Sequence, residues 1–122
     1  MTQEEKELLL GGWYARLPYG VIVETPKGKG HICDINLTIS GGGLEIIINP
    51  DVIDTFSIND VKPYLFPLSS MTEEQKKDLD NIVANSRYDE NIVYDWYNKN
   101  NFDYRGLIPI GLAIDATGLN IY

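Results

Sequence analysis

The sequence predicts an α+β domain. A small antiparallel sheet or SH3-like barrel occupies about residues 20–67, and two helices follow at about 72–85 and 89–99. A short helix precedes the sheet, and residues 105–115 return as a strand or extended arm. Three observations lead there. Residues 31–40 (HICDINLTIS) alternate with period two, as a half-buried strand does. Glycine-bearing turns at 26–30 and 41–43 separate apolar runs of strand length, the spacing of a meander. Past Ser69 the signals become helical, with Thr72 and Gln75 at capping-box spacing before an apolar stripe.

The elements follow in order. Thr2 and Glu5 also have capping-box spacing, so a helix starts there and stops at Gly11-Gly12 or continues through them to Arg16. Each glycine inside a helix costs about 1 kcal/mol. Pro18 ends the helix either way, because the residue before proline avoids the helical region. Residues 20–25 (GVIVET) read as a strand, and Pro26 to Gly30 as a turn. In the next strand, Ile32, Asp34, Asn36 and Thr38 fall on one face. His31, Cys33, Ile35, Leu37 and Ile39 form the apolar face. Residues 44–49 (LEIIIN) make a third strand and 55–58 a short one. Residues 61–68 (VKPYLFPL) hold two prolines, which lack the ladder donor, so an edge strand or connector is expected. In the helical part, Leu79, Ile82 and Val83 form one stripe, while Asp89 caps a helix that buries Ile92, Val93, Trp96 and Tyr97. Leu107 to Ile114 reads as extended.

Length and charge bound the function. The 122 residues suit one domain, 1–122. Hydrophobic content of 43% against 23% charged is ordinary globular usage and excludes disorder over the whole chain. The net charge of −8 is spread along the chain and leaves no basic patch to replace counterions on phosphate, which argues against nucleic acid as a partner. Cys33 is the only cysteine, so no internal disulfide forms. No apolar run approaches the roughly 20 residues of a membrane span, and no secretory leader is read at Met1–Leu10. A cytoplasmic protein is expected.

Chemistry is sparse. His31 and Cys33 are too few for a zinc site, which takes three or four ligands, and nothing marks Cys33 as a low-pKa nucleophile. No metal, cofactor or catalytic residue is assigned. Glycines 41–43 lack the Gly-Lys-Ser/Thr ending of a phosphate loop. The densest run of specific residues is 98–116, NKNNFDYRGLIPIGLAIDA. There Asp103, Tyr104 and Arg105 could form a recognition tip, with a planar guanidinium fork beside an aromatic platform. The competing reading is a structural turn: Asp103 binds local N–H groups and Gly106 takes positive φ. Trp96 and Tyr64 join the candidates for protein contact, because aromatics are plentiful and nearby cations are few.

The segments ARLPYGVIVE (15–24), KPYLFPLSSMTEEQKKDL (62–79) and NNFDYRGLIPIGLAID (100–115) carry a resemblance. They look like small uncharacterised proteins encoded by phages and prophages of gut bacteria. In those proteins RLPYGV, KPYLRPLSSMTEEE and HFDYRGLI…GLALEA blocks recur in this order. The likeness spans most of the chain. Phe66 stands where that family often has a basic residue, Asn101 where a histidine is common, and residues 117–120 replace its acidic-proline ending. The resemblance implies a mobile-element origin and assigns no mechanism. The expected function is therefore a non-catalytic protein-interaction or structural protein of phage or prophage origin, binding a protein partner or itself. The alternatives are a small carboxylate-dependent hydrolase and a nucleic-acid-binding module.

Overall fold

The computed structural model describes residues 2–16, 19–36, 43–49, 52–87 and 89–122. The architecture is α+β, as the sequence predicts. Helix α1 (Gln3–Arg16) leads into strands β1 (Ile22–Thr25), β2 (Gly28–Asn36), β3 (Gly43–Asn49), β4 (Val52–Ser57) and β5 (Lys62–Leu65). Helices α2 (Glu73–Asn85) and α3 (Glu90–Lys99) follow, and β6 (Ile114–Asp115) closes the sheet. The strand order is β4-β3-β2-β1-β5-β6. β1 to β4 are an antiparallel meander, β5 is antiparallel to β1, and β6 is parallel to β5. Lys27, in the β1–β2 turn, reaches Asp54 on β4, three strands away, at 2.5 Å. The sheet is therefore strongly coiled rather than flat.

One face of the sheet is covered by α1 and by the segment after α3. Leu9 and Trp13 of α1 pack with Val21, Val23, Ile32, Phe56, Leu65, Leu107 and Leu112 in a single core. Each such side chain contributes about 1.5–3 kcal/mol on burial.

α1 takes the longer of its two predicted courses. Thr2 Oγ1 accepts from the Glu5 N–H at 3.1 Å, and the helix runs on through both glycines to Arg16. The reason is tertiary. A Cβ on Gly12 would stand 3.2 Å from Arg16 Nη1, 3.7 Å from Leu107 Cδ1 and 3.9 Å from Arg105 Cδ, so the missing side chain lets the 105–107 turn lie against the helix. Gly11 is exposed, with nothing within 4 Å of its Cβ position. Gly11→Ala should accordingly stabilise by about 0.5–1 kcal/mol. Gly12→Ala should destabilise by about 1 kcal/mol through overpacking. Urea unfolding of the two variants side by side checks this, and equal effects would remove the close-approach argument.

The facing assignment along β2 is corrected. Ile32 is buried, 4% exposed, and His31 is exposed. The ladder with β3 shifts register between Ile32 and Asp34, a bulge at Cys33 that inverts the alternation. Ile32 and Ile35 can then both meet the core. Residues 37–40 and the turn glycines 41 and 42 lie outside the described residues. The short strand expected at 55–58 is instead β4, Val52–Ser57, followed by a 3-10 turn at Ile58–Asp60. β5 is interior, between β1 and β6. Pro63 is tolerated there because β6 pairs only from Tyr64 onward, so at Pro63 that side of the strand is still an edge.

The two later helices match their start signals. Thr72 and Gln75 make the complete capping box, and the Asp89 side chain accepts from the Asn91 N–H. The apolar run after α3 departs from expectation. Residues 107–111 turn, and only Ile114–Asp115 pair as a strand. Gly106 and Gly111 have φ of +75° and +79°, which an extended arm would not use.

Candidate functional site

The 102–108 turn, the inner end of α1 and one face of α3 meet in a single polar–aromatic cluster. Asp103 organises it. Its backbone N–H donates to the Phe66 carbonyl at 2.8 Å, and Phe66 in turn donates to the Asn101 carbonyl at 2.8 Å. This fastens the segment beside β5. The Asp103 carboxylate is buried and accepts from the N–H groups of Leu107 at 2.8 Å and Ile108 at 2.9 Å. It closes the turn from inside, as the structural-turn reading has it.

Tyr104 follows, half-buried. Its ring centroid lies 5.2 Å from those of Tyr94 and Tyr97, stacked on both. The Arg105 guanidinium sits over the Tyr104 ring at 4.4 Å, and that of Arg16 lies 5.9 Å from it. Asn98, buried on α3, holds the pair from below. Its Nδ2 donates to the Tyr104 hydroxyl at 3.1 Å, and its Oδ1 accepts from Arg105 Nη1 at 3.2 Å. Trp96 stacks on Phe102 at 5.6 Å and meets Tyr97 edge-on.

Arg16 is the unusual member, a guanidinium only 1% exposed. Its Nη2 donates to the Phe102 carbonyl at 2.6 Å, and its Nε has no partner among the described residues. Burial, then the like charge of Arg105, pulls its pKa down to about 10, while Asp103 works the other way. At neutral pH it is still charged, so the cluster holds two cations against one buried carboxylate. Among the described residues neither Arg16 nor Arg105 has a carboxylate within ion-pair distance.

The five residues singled out by sequence thus separate. Asp103, Tyr104, Arg105 and Trp96 belong to this cluster, with Asp103 inside it. Tyr64 stands on the opposite face of the sheet. Its hydroxyl donates to Glu24 at 2.7 Å, and Lys29 lies over its ring at 5.4 Å. Tyr94 and Asn98 were not singled out. Their signal was the helical spacing of Tyr94, Tyr97 and Asn98, which places all three on one side of α3. His31 and Cys33 gain no ligand set, as no group of three metal-ligating side chains occurs among the described residues. No helix among them is long and apolar enough to cross a membrane. No protein-family model, curated protein or solved structure matches the chain.

Proposed function

We propose that this chain is a non-catalytic protein-binding domain acting in a phage or prophage setting, with Tyr94, Tyr104 and Arg105 as its contact surface. The setting rests on the resemblance of the three sequence blocks. The contact surface rests on one observation: a guanidinium over the Tyr104 ring, without a carboxylate at ion-pair distance among the described residues, beside a Tyr94 that is 42% exposed. A guanidinium already placed over a ring and bonded to Asn98 loses little entropy when it takes a partner's carboxylate or carbonyl oxygen. Tyr and Arg are also the residues that most often dominate interface energies.

Two other features favour this reading over its rivals. Among the described residues, the carboxylates with a resolved shift, Asp54 and Asp115, both have their pKa lowered, chiefly by hydrogen bonds from Lys27 and Thr117. A general acid for hydrolysis needs the opposite shift. The cations a nucleic-acid surface would use are dispersed. Arg16 is buried, Lys27 pairs with Asp54, and Lys29 and Lys62 both lie opposite Glu24 in the ladder, on the far side of the sheet from Arg105.

The test is capture of partners from a host lysate by tagged protein, with Tyr94→Ala and Arg105→Ala alongside. Both variants should stay folded, Arg105→Ala losing about 1–2 kcal/mol. Both should lose the same captured protein. Capture unaffected by either change would remove this surface from consideration.

A further inference from the structure

The hairpin of α2 and α3 carries a second, separate surface. Of the thirteen residues of α2 none is buried, and Val83 is 53% exposed. Where α2 ends and α3 begins, an open cleft of about 730 Å³ is lined by Val83, Ala84, Ser86 and Val93. Arg87, Asp89 and Glu90 form its rim. Its volume falls within the range of ligand-binding clefts. The cleft opens to solvent, and Leu79, one turn before Val83 on α2, and Ile82 are half-exposed on the same side of the helix. Apolar side chains at helical spacing beside an open cleft fit a rod with anchors at the same spacing better than a compact small molecule. Charge selects the kind of rod. Residues 72–95 carry seven acidic and three basic side chains, half of the whole chain's net −8. A second copy of this chain would bring the same −8 to the contact and be repelled.

We propose that the α2–α3 groove seats a basic amphipathic helix of a partner protein, its apolar side on Val83 and Val93 and its lysines or arginines over Asp89 and Glu90. This surface does not include Tyr94, Tyr104 or Arg105, so it stands or falls apart from the one proposed above.

The probe is a fluorescent peptide of roughly 18 residues, about five helical turns, built from leucine and lysine with one apolar face. A scrambled peptide of the same composition is the control. Fluorescence anisotropy on the full chain should show the amphipathic peptide binding about tenfold more tightly than the scrambled one. Val83→Asp should weaken it about tenfold. That sign is informative, because added negative charge alone would tighten a basic peptide. Val83 is exposed, so the variant should keep the wild-type melting temperature, and Val83→Thr serves as a milder second change. Arg105→Ala should leave peptide binding unchanged. Equal binding of the two peptides, or indifference to Val83→Asp, would overturn the proposal. So would a dimer in sedimentation that Val83→Asp dissociates, for then a second copy fills the groove.

Discussion

Asp103→Ala should destabilise the fold by about 3 kcal/mol, because it removes two charge-assisted hydrogen bonds worth about 1.5–3 kcal/mol each. The carboxylate is 7% exposed, and its two oxygens accept from Leu107 and Ile108. Truncation leaves both N–H groups without an acceptor, and Leu107 is itself fully buried. It also removes a negative charge that offsets Arg16. Asp103→Asn has the same shape, keeps one carbonyl acceptor and loses the charge, so it should cost about half as much. Denaturant unfolding at constant m reads the difference as a shift in midpoint. An Asn variant equal to wild type would mean that shape alone matters at this position. A loss below about 1 kcal/mol for Ala would mean that the turn closes without the carboxylate.

Legibility in the sequence followed locality. The box of Thr72 and Gln75 and the cap at Asp89 are settled within four residues, and both are present. The meander of β1 to β3 was readable because glycines separate its apolar runs in the sequence. What failed depended on something distant or on an irregularity. Period-two alternation assumes an unbroken ladder, and one extra residue at Cys33 inverts it, so Ile32 is buried where the pattern exposed it. The course of α1 through Gly12 is decided by Arg105 and Leu107, some ninety residues on. Leu107 to Ile114 is apolar enough for a strand, but the inward carboxylate of Asp103 and the positive φ of Gly106 and Gly111 make most of it a turn. The candidate site shows the same division. The run 103–105 was visible as a cluster of specific residues. Which of them faces outward was not, because that depends on Asn98 and Tyr94 of α3. The sheet-side position of Tyr64 was equally invisible, since only the pairing of β5 with β1 fixes which face it takes.

Tyr122→Phe should cost about 2 kcal/mol, a fall in melting temperature of roughly 6–10 °C for a chain of this size. The register of β1 and β5 pairs Val23 with Pro63 and Glu24 with Lys62, then stops. One residue further along, the Ile22 N–H and the Tyr64 carbonyl do not bond each other. The Tyr122 hydroxyl stands between them, accepting from Ile22 at 3.0 Å and donating to Tyr64 at 2.7 Å. Its ring leans on Phe66 at 5.6 Å. A phenol that replaces a ladder bond carries two backbone groups at once, and phenylalanine keeps the ring contact while releasing both. The same hydroxyl should make the fold sensitive to alkaline pH. Desolvation of the hydroxyl pushes Tyr122 up to about 12, against the pull of the Ile22 hydrogen bond and the Arg16 charge, although the residue as a whole is 47% exposed and solvent weakens the effect. Tyr64 also rises to about 12, by burial and then by its bond to Glu24. Each proton is held more tightly in the folded state than in the unfolded chain, where tyrosine titrates near 10. Their contribution is therefore complete below about pH 10 and lost between about 10 and 12. Stability measured across that window should fall for the wild type, less so for Tyr122→Phe, and least when Tyr64→Phe is added. A slope untouched by either change would show that these phenols do not cause the alkaline sensitivity, whatever the melting temperature of Tyr122→Phe.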